Sequence, residues 1–273
     1  MNQAATQTLQ ALDTDQVRRD FPALNQTVNG KPLVYLDNAA SAQKPQAVLD
    51  AMDQYYRESH SNVHRGAHTL GDRATMAFEG ARDTVRGFLN ADSISEIVWV
   101  RGATEGINLI ANGFYDRLGP GDEILISHME HHANIVPWQM LAQKTGASLR
   151  VVAVTDEGEL DQESFREQLS ERTTVFAITQ VSNTLGTINP VADMITAARE
   201  MGAFTVVDGA QAVPHMSVDV QALGCDFLVF SSHKLFGPTG IGVVYGREEL
   251  MHEWPVYQTG GEMIHRVSFE GTS

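Results

Sequence analysis

The chain has 273 residues, with 34 acidic against 19 basic side chains and a formal charge of −15. With no long basic run to offset it, that balance argues against nucleic acid and anionic membrane surfaces as partners. The single cysteine, Cys225, excludes an intrachain disulfide framework and a multi-cysteine metal site. The length suits one large α/β domain or two ordinary ones, and no stretch approaches membrane-spanning length, so a cytoplasmic location is expected.

Residues 1 to about 12 are polar and read as a frayed end. Asp13 or Thr14 then caps a short helix through Val17 and Phe21. The pair Asn29-Gly30 marks a turn before a strand Leu33-Val34-Tyr35-Leu36. Pro45 opens an amphipathic helical segment through Val48, Met52 and Tyr55 to about Ser59. The loop from Ser61 to Gly66 holds either an anion-binding pair, His64 and Arg65, or simply a solvated turn. From about His68, Leu70, Ala74, Ala77, Ala81, Val85 and Phe88 recur at helical spacing and predict a long helix with its apolar face in the core.

From Glu96 a rhythm sets in. Apolar runs at Ile97–Val100, Ile124–Ile126, Leu149–Val154, Val175–Ile178, Phe204–Val207 and Phe227–Phe230 are separated mostly by helical segments. Such alternation predicts parallel strands with crossover helices on both faces. A seventh run, Ile241–Tyr245, returns too soon after its predecessor for a crossover and must be antiparallel. The expected fold is α/β, a mostly parallel seven-stranded sheet with one antiparallel strand.

The unusual polar residues follow the strands, where ligands of open α/β sheets bind. Phe227–Phe230 delivers Ser231, His233 and Lys234 to a Gly/Pro loop. A lysine amine there, beside apolar residues, could be partly neutral and form a Schiff base with a carbonyl, or be an ordinary loop lysine. Ser231 and His233 could hold a phosphate, as could the turn Gly102-Ala103-Thr104 at a helix start, which also reads as a plain cap. Glu130, His131 and His132 do not share a helical face, which weakens a metal reading; His131 could instead stack on an aromatic ligand or be a satisfied loop histidine. Asn183 could bind a carboxylate or stabilise its turn. Asp208, closing an apolar strand, needs a partner, either a protonated pyridine nitrogen with Gln211 reaching the ring oxygen, or backbone amides.

These residues, with the segments YLDNAASAQKP, VHRGAHTL, RGATEGINL, MEHHANIVPWQ, VSNTLGTINP, VDGAQAV and SSHKLFGPTGIG, closely resemble the class V aminotransferase group of fold-type I enzymes. Within it they resemble the SUF-type cysteine desulfurases, also described as selenocysteine lyases. The resemblance implies pyridoxal 5'-phosphate on Lys234, Asp208 at the pyridinium, Gln211 at the phenolic oxygen, His131 on the ring, and Thr104, Ser231 and His233 at the phosphate. It places Asn183 near the substrate carboxylate and His64 and Arg65 at a homodimer interface beside the site. It implies conversion of L-cysteine, or L-selenocysteine, to alanine, with sulfur passing through an enzyme thiolate to an acceptor protein of iron-sulfur cluster assembly.

The same resemblance divides the chain into an N-terminal segment, 1–30, and a cofactor-binding large domain, 31–273. It implies that the small domain bearing the family's attacking cysteine and a carboxylate-binding arginine is absent, so that a truncated enzyme with an exposed apolar patch is expected. Cys225 is not a substitute, because even the strand up to Phe230 sets it roughly 15 Å back from Lys234. A selenocysteine lyase, a cysteine sulfinate desulfinase or an epimerase is the alternative, and a non-enzymatic cofactor-binding or dimerisation module is the reading of another class.

Overall fold

The computed structural model describes residues 12–261, 263 and 266–272. The stretch read as a frayed end lies, up to residue 11, outside the described residues. Asp13 caps α1 (Thr14–Arg19), its carboxylate accepting from the Gln16 amide at 2.9 Å. The helix stops short of the expected Phe21, which precedes a proline and is extended, with Pro22 opening a 3-10 turn. The Asn29-Gly30 turn joins β1 (Thr27–Val28) to β2 (Lys31–Pro32), both residues left-handed at φ 52° and 74°.

The strand expected at Leu33–Leu36 does not form. After Leu33 donates its amide to Gln26 the segment meets no neighbouring strand, and Val34 and Leu36 stand 72% and 88% exposed. Apolarity marked the run, but a strand needs a ladder partner as well. Next, α2 (Gln46–Gln54) follows Pro45 and continues into a π-turn at Tyr55–Ser59. His68 caps α3 (Thr69–Leu89). The face of α3 assigned to the core is largely uncovered: Ala74 and Leu89 are buried, while Leu70, Ala77, Ala81 and Phe88 are exposed. The helix is held instead by Phe78 against Trp99 and by Arg82, which donates to the carbonyls of Ile94 and Ile97.

The seven expected strands are all present: β3 (Ile97–Val100), β4 (Glu123–Ser127), β5 (Ser148–Val152), β6 (Thr173–Thr179), β7 (Phe204–Asp208), β8 (Phe227–Ser231) and β9 (Gly242–Gly246). They form one sheet in the order β3-β9-β8-β7-β6-β4-β5. Only β9 runs antiparallel, wedged between β8 and the edge strand β3. A short hairpin, β10 (Val267–Ser268) with β11 (Gly271–Thr272), stands apart.

Helices cover both faces. On one, α4 (Ala103–Gly113) and α5 (Val136–Thr145) pack Ile107, Ile110, Phe114, Trp138 and Leu141 onto Ile124, Val175, Val206 and Val229, with Trp254, just beyond α9 (Glu248–Met251), stacked on Phe227. On the other, α6 (Gln162–Gln168), α7 (Val191–Glu200) and α8 (Val220–Leu223) pack Phe165, Met194, Ile195 and Val220 against Leu125, Phe176, Ile178 and Leu228. Alternate residues of one strand serve opposite cores, which is why these runs show almost no polar alternation, Arg150 and Thr205 being the exceptions. The parallel strands, β3 included, end on one edge of the sheet.

Candidate active site

Eight of the ten residues singled out in the sequence line one cavity of about 470 Å³ at that edge: Thr104, His131, Asn183, Asp208, Gln211, Ser231, His233 and Lys234. Asp208 ends β7 in register with Thr179 of β6 and Val229 of β8. Its carboxylate is buried and accepts from the Ala210 amide at 2.9 Å. Burial pushes its pKa up, while the Ala210 bond and the Lys234 charge work the other way. Gln211, one turn on, donates through Nε2 to the Ala39 carbonyl at 2.7 Å, which fixes which end of its amide is nitrogen.

At the end of β8, Ser231 Oγ accepts from the Ala103 amide at 2.8 Å and so fastens the first turn of α4 to the sheet. This junction is tight: a Cβ on Gly242 would lie 2.6 Å from the Gly102 Cα. The chain then turns through Ser232–Lys234. Burial lowers the Lys234 pKa from 10.5, and Asp208 opposes the shift. The carbonyl of His233 accepts from the Ala42 amide at 2.9 Å, and its ring nitrogen lies 3.3 Å from Ser41 Oγ. The segment Asp37–Lys44 therefore walls the cavity and positions both Gln211 and the lysine loop.

After β4, His131 Nδ1 accepts from the Ala133 amide at 3.2 Å, so a neutral ring carries its proton on Nε2. Burial first, then the charges of His132 and Lys234, lower its pKa, which keeps the ring neutral near pH 7. The ring lies 3.9 Å from that of His132. Glu130 points away from both, into the interior, and among the described residues no group of three or more His, Cys, Asp or Glu could hold a metal ion. Asn183 is exposed at the cavity rim.

The other two residues, His64 and Arg65, are not among the cavity's lining. His64 pairs with Glu79 of α3 at 2.8 Å and donates its backbone amide to Thr75 Oγ1 at 2.9 Å. Cys225, at the opposite end of β8, is 1% exposed, and burial and the Asp226 charge push its thiol up to about 12. On its far side Lys234 borders a second, more apolar hollow of about 520 Å³, lined by Val17, Phe21, Leu24, Tyr35 and Phe236.

Sequence reasoning missed the wall segment and the role of Glu130, which it weighed only as a metal ligand. The wall acts through the Ala39 carbonyl and the Ala42 amide, which no side chain advertises; its only signal was the pattern YLDNAASAQKP itself.

The class-V aminotransferase family model matches residues 34–273. Cysteine desulfurases of Dickeya dadantii (strain 3937) and Synechococcus elongatus are similar, at 57% and 55% identity over 95% of this chain. The chain spans 63% and 42% of those relatives' lengths. Among solved structures, the cysteine desulfurase CsdA (S-sulfonic acid) of Escherichia coli superposes with a TM-score of 0.87 at 43% identity, covering 97% of this chain and 65% of that one. The apo cysteine desulfurase of Thermococcus onnurineus NA1 gives 0.89 at 39% identity, covering 95% and 63%.

Proposed function

The chain belongs to the class-V aminotransferase family, and on that premise we propose that its cavity binds pyridoxal 5'-phosphate and serves a cysteine desulfurase, with residues 31–273 as the cofactor-binding large domain. The observation that carries this reading is the meeting of a burial-depressed lysine and a buried carboxylate in one cavity, with a neutral imidazole beside them.

The donor set fits the group. Asp208 is a buried carboxylate with one backbone partner, and a cationic ring nitrogen would compensate its charge. The second Nε2 hydrogen of Gln211 is available to a phenolic oxygen, and His131 offers a flat neutral ring to stack on. Thr104 in the first turn of α4, with Ser231 and His233, would hold a phosphate at the positive end of that helix. Once bound, the cofactor supplies an aldehyde for the Lys234 amine and an electron-withdrawing ring.

The residues' own work is then definite. Lys234, low in proton affinity, presents a nucleophilic nitrogen and afterwards can carry a proton. Asp208 keeps the ring nitrogen protonated. Asn183 at the rim orients a substrate carboxylate. The substrate is L-cysteine or L-selenocysteine, the sulfur acceptor a protein of iron-sulfur cluster assembly, and the assembly a cytoplasmic homodimer in which His64 and Arg65 approach a neighbouring site.

A second reading is favoured by Cys225. The only thiol within these 273 residues is buried and hard to ionise, so sulfur abstraction needs a thiol from outside them. Selenocysteine lyase or cysteine sulfinate desulfinase chemistry is free of that demand. The test titrates the chain and its Lys234→Ala variant with pyridoxal phosphate, following visible absorbance. It then assays alanine release from L-cysteine with dithiothreitol, from L-selenocysteine and from cysteine sulfinate. A Lys234-dependent band with alanine from cysteine supports the first reading, and alanine from the other two alone supports the second. No band in either protein overturns the cofactor site.

A further inference from the structure

Beneath the cavity lies a buried polar group that the chemistry above does not use. The Glu130 carboxyl is met by three neutral donors: Ser127 Oγ at 2.6 Å and the Thr179 amide at 3.0 Å on Oε1, and Asn134 Nδ2 at 2.6 Å on Oε2. The orientation of Asn134 is settled by Trp138, whose indole nitrogen can only donate and does so to Oδ1 at 2.8 Å. Ser127, Asn134 and Trp138 are all at most 1% exposed. Burial pushes the Glu130 pKa up to about 8, the Asp208 charge acting in the same direction and the three donors against it.

The connections matter more than the charge. Thr179 is in register with Asp208, and the next residue, Gln180, donates its amide to the Asp208 carbonyl at 3.0 Å. On the other side, the Asn134 amide donates to the His131 carbonyl at 2.7 Å. One side chain thus spans the two elements that carry the ring-facing imidazole and the aspartate.

We propose that Glu130 is a positioning residue of the cofactor site, which through Thr179 and Asn134 fixes His131 and Asp208 relative to one another. The proposal rests on the reading of the cavity as a pyridoxal phosphate site. It makes a demanding prediction, because the network has a defined polarity. In Glu130→Gln the new amide nitrogen must face a donor whichever way it turns, either Asn134 or the pair Ser127 and Thr179. In the double exchange Glu130→Gln/Asn134→Asp every bond is regained: Gln donates to Asp and accepts from Thr179 and Ser127, and Asp accepts from Trp138.

The experiment, run above the Glu130 pKa of about 8 so that the parental carboxylate accepts on both oxygens, measures pyridoxal phosphate affinity and the visible circular dichroism of the bound cofactor in the full chain, with thermal melting alongside. Glu130→Gln should weaken binding roughly tenfold, as expected of a buried donor set against a donor, and alter the dichroic band. The double exchange should return both to parental values. Parental affinity and dichroism in Glu130→Gln would overturn the proposal, and so would a double exchange that recovers melting temperature but not binding. Should Glu130→Gln not fold, Asn134→Ala, which cuts the Oε2 link and also removes the acceptor of the Trp138 indole nitrogen, takes its place. The His131 imidazole resonance in cofactor-free protein separates this idea from the cofactor reading. Displaced by Glu130→Gln and restored by the exchange, it supports positioning even if no cofactor binds; unmoved, it refutes it.

Discussion

Lys234 and Asp208 act on each other's protons. Burial lowers the lysine's affinity for its proton, and the carboxylate partly restores it. The neutral amine should therefore appear at a lower pH than that of an ordinary lysine, and the rate of cofactor uptake should climb below pH 10.5. In Asp208→Asn the opposing charge is gone, so the profile should move to still lower pH while cofactor affinity falls; stopped-flow absorbance across pH would show it, and a shift to higher pH would refute the pairing. Glu130 gives a second prediction, about stability. Its folded pKa of about 8 lies above its ordinary value of 4.5, so its stabilising contribution is complete below 4.5 and is lost as pH rises through about 8. Urea denaturation should show stability falling across that window with a shallower slope in Glu130→Gln, and equal slopes would count against the assignment. At this scale the sequence disclosed Asp208 and Lys234, because charged groups closing apolar strands are conspicuous. It hid Ala39, whose contribution is a carbonyl, and the role of Glu130, whose partners lie on β4, β6 and the turn before α5.

Among the elements, the tight passage is where β9 begins beside the start of α4. A methyl group at position 242 would meet the Gly102 Cα at 2.6 Å and the Phe230 carbonyl at 2.7 Å, neither of which can swing away. Gly242→Ala should cost about 1–3 kcal/mol. Because the Ser231–Ala103 bond sits in the same place, it should also weaken cofactor binding. An unchanged urea midpoint would show that the strands can part without loss. The sheet strands were legible because the central ones, β4, β6, β7, β8 and β9, are buried on both faces and so read as nearly continuous apolar runs. The segment Leu33–Leu36 is as apolar as some of them but finds no partner, and periodicity says nothing about partners. For α3 the spacing named which residues share a face and left open what covers that face.

For the whole molecule, a formal charge of −15 meets a surface on which Val34, Leu36, Tyr56, Met76 and Phe88 are exposed. If two copies associate as proposed, their mutual repulsion is screened by salt, so the dimer should tighten as ionic strength rises. Sedimentation at two salt concentrations tests this, and a monomer at both would refute it. The apolar hollow beside Lys234 should bind a hydrophobic dye, and Phe236→Asp should reduce that fluorescence. The position of β3 has a consequence for biosynthesis. Its sheet neighbour is β9, with Ile97 paired to Tyr245. During translation, then, β3 emerges early and waits with an open edge until nearly the whole of this stretch has been made, a long-range closure of the slow kind. The nascent chain would need shielding for all that time, and the end of the cavity formed by Thr104 would be among the last parts to mature.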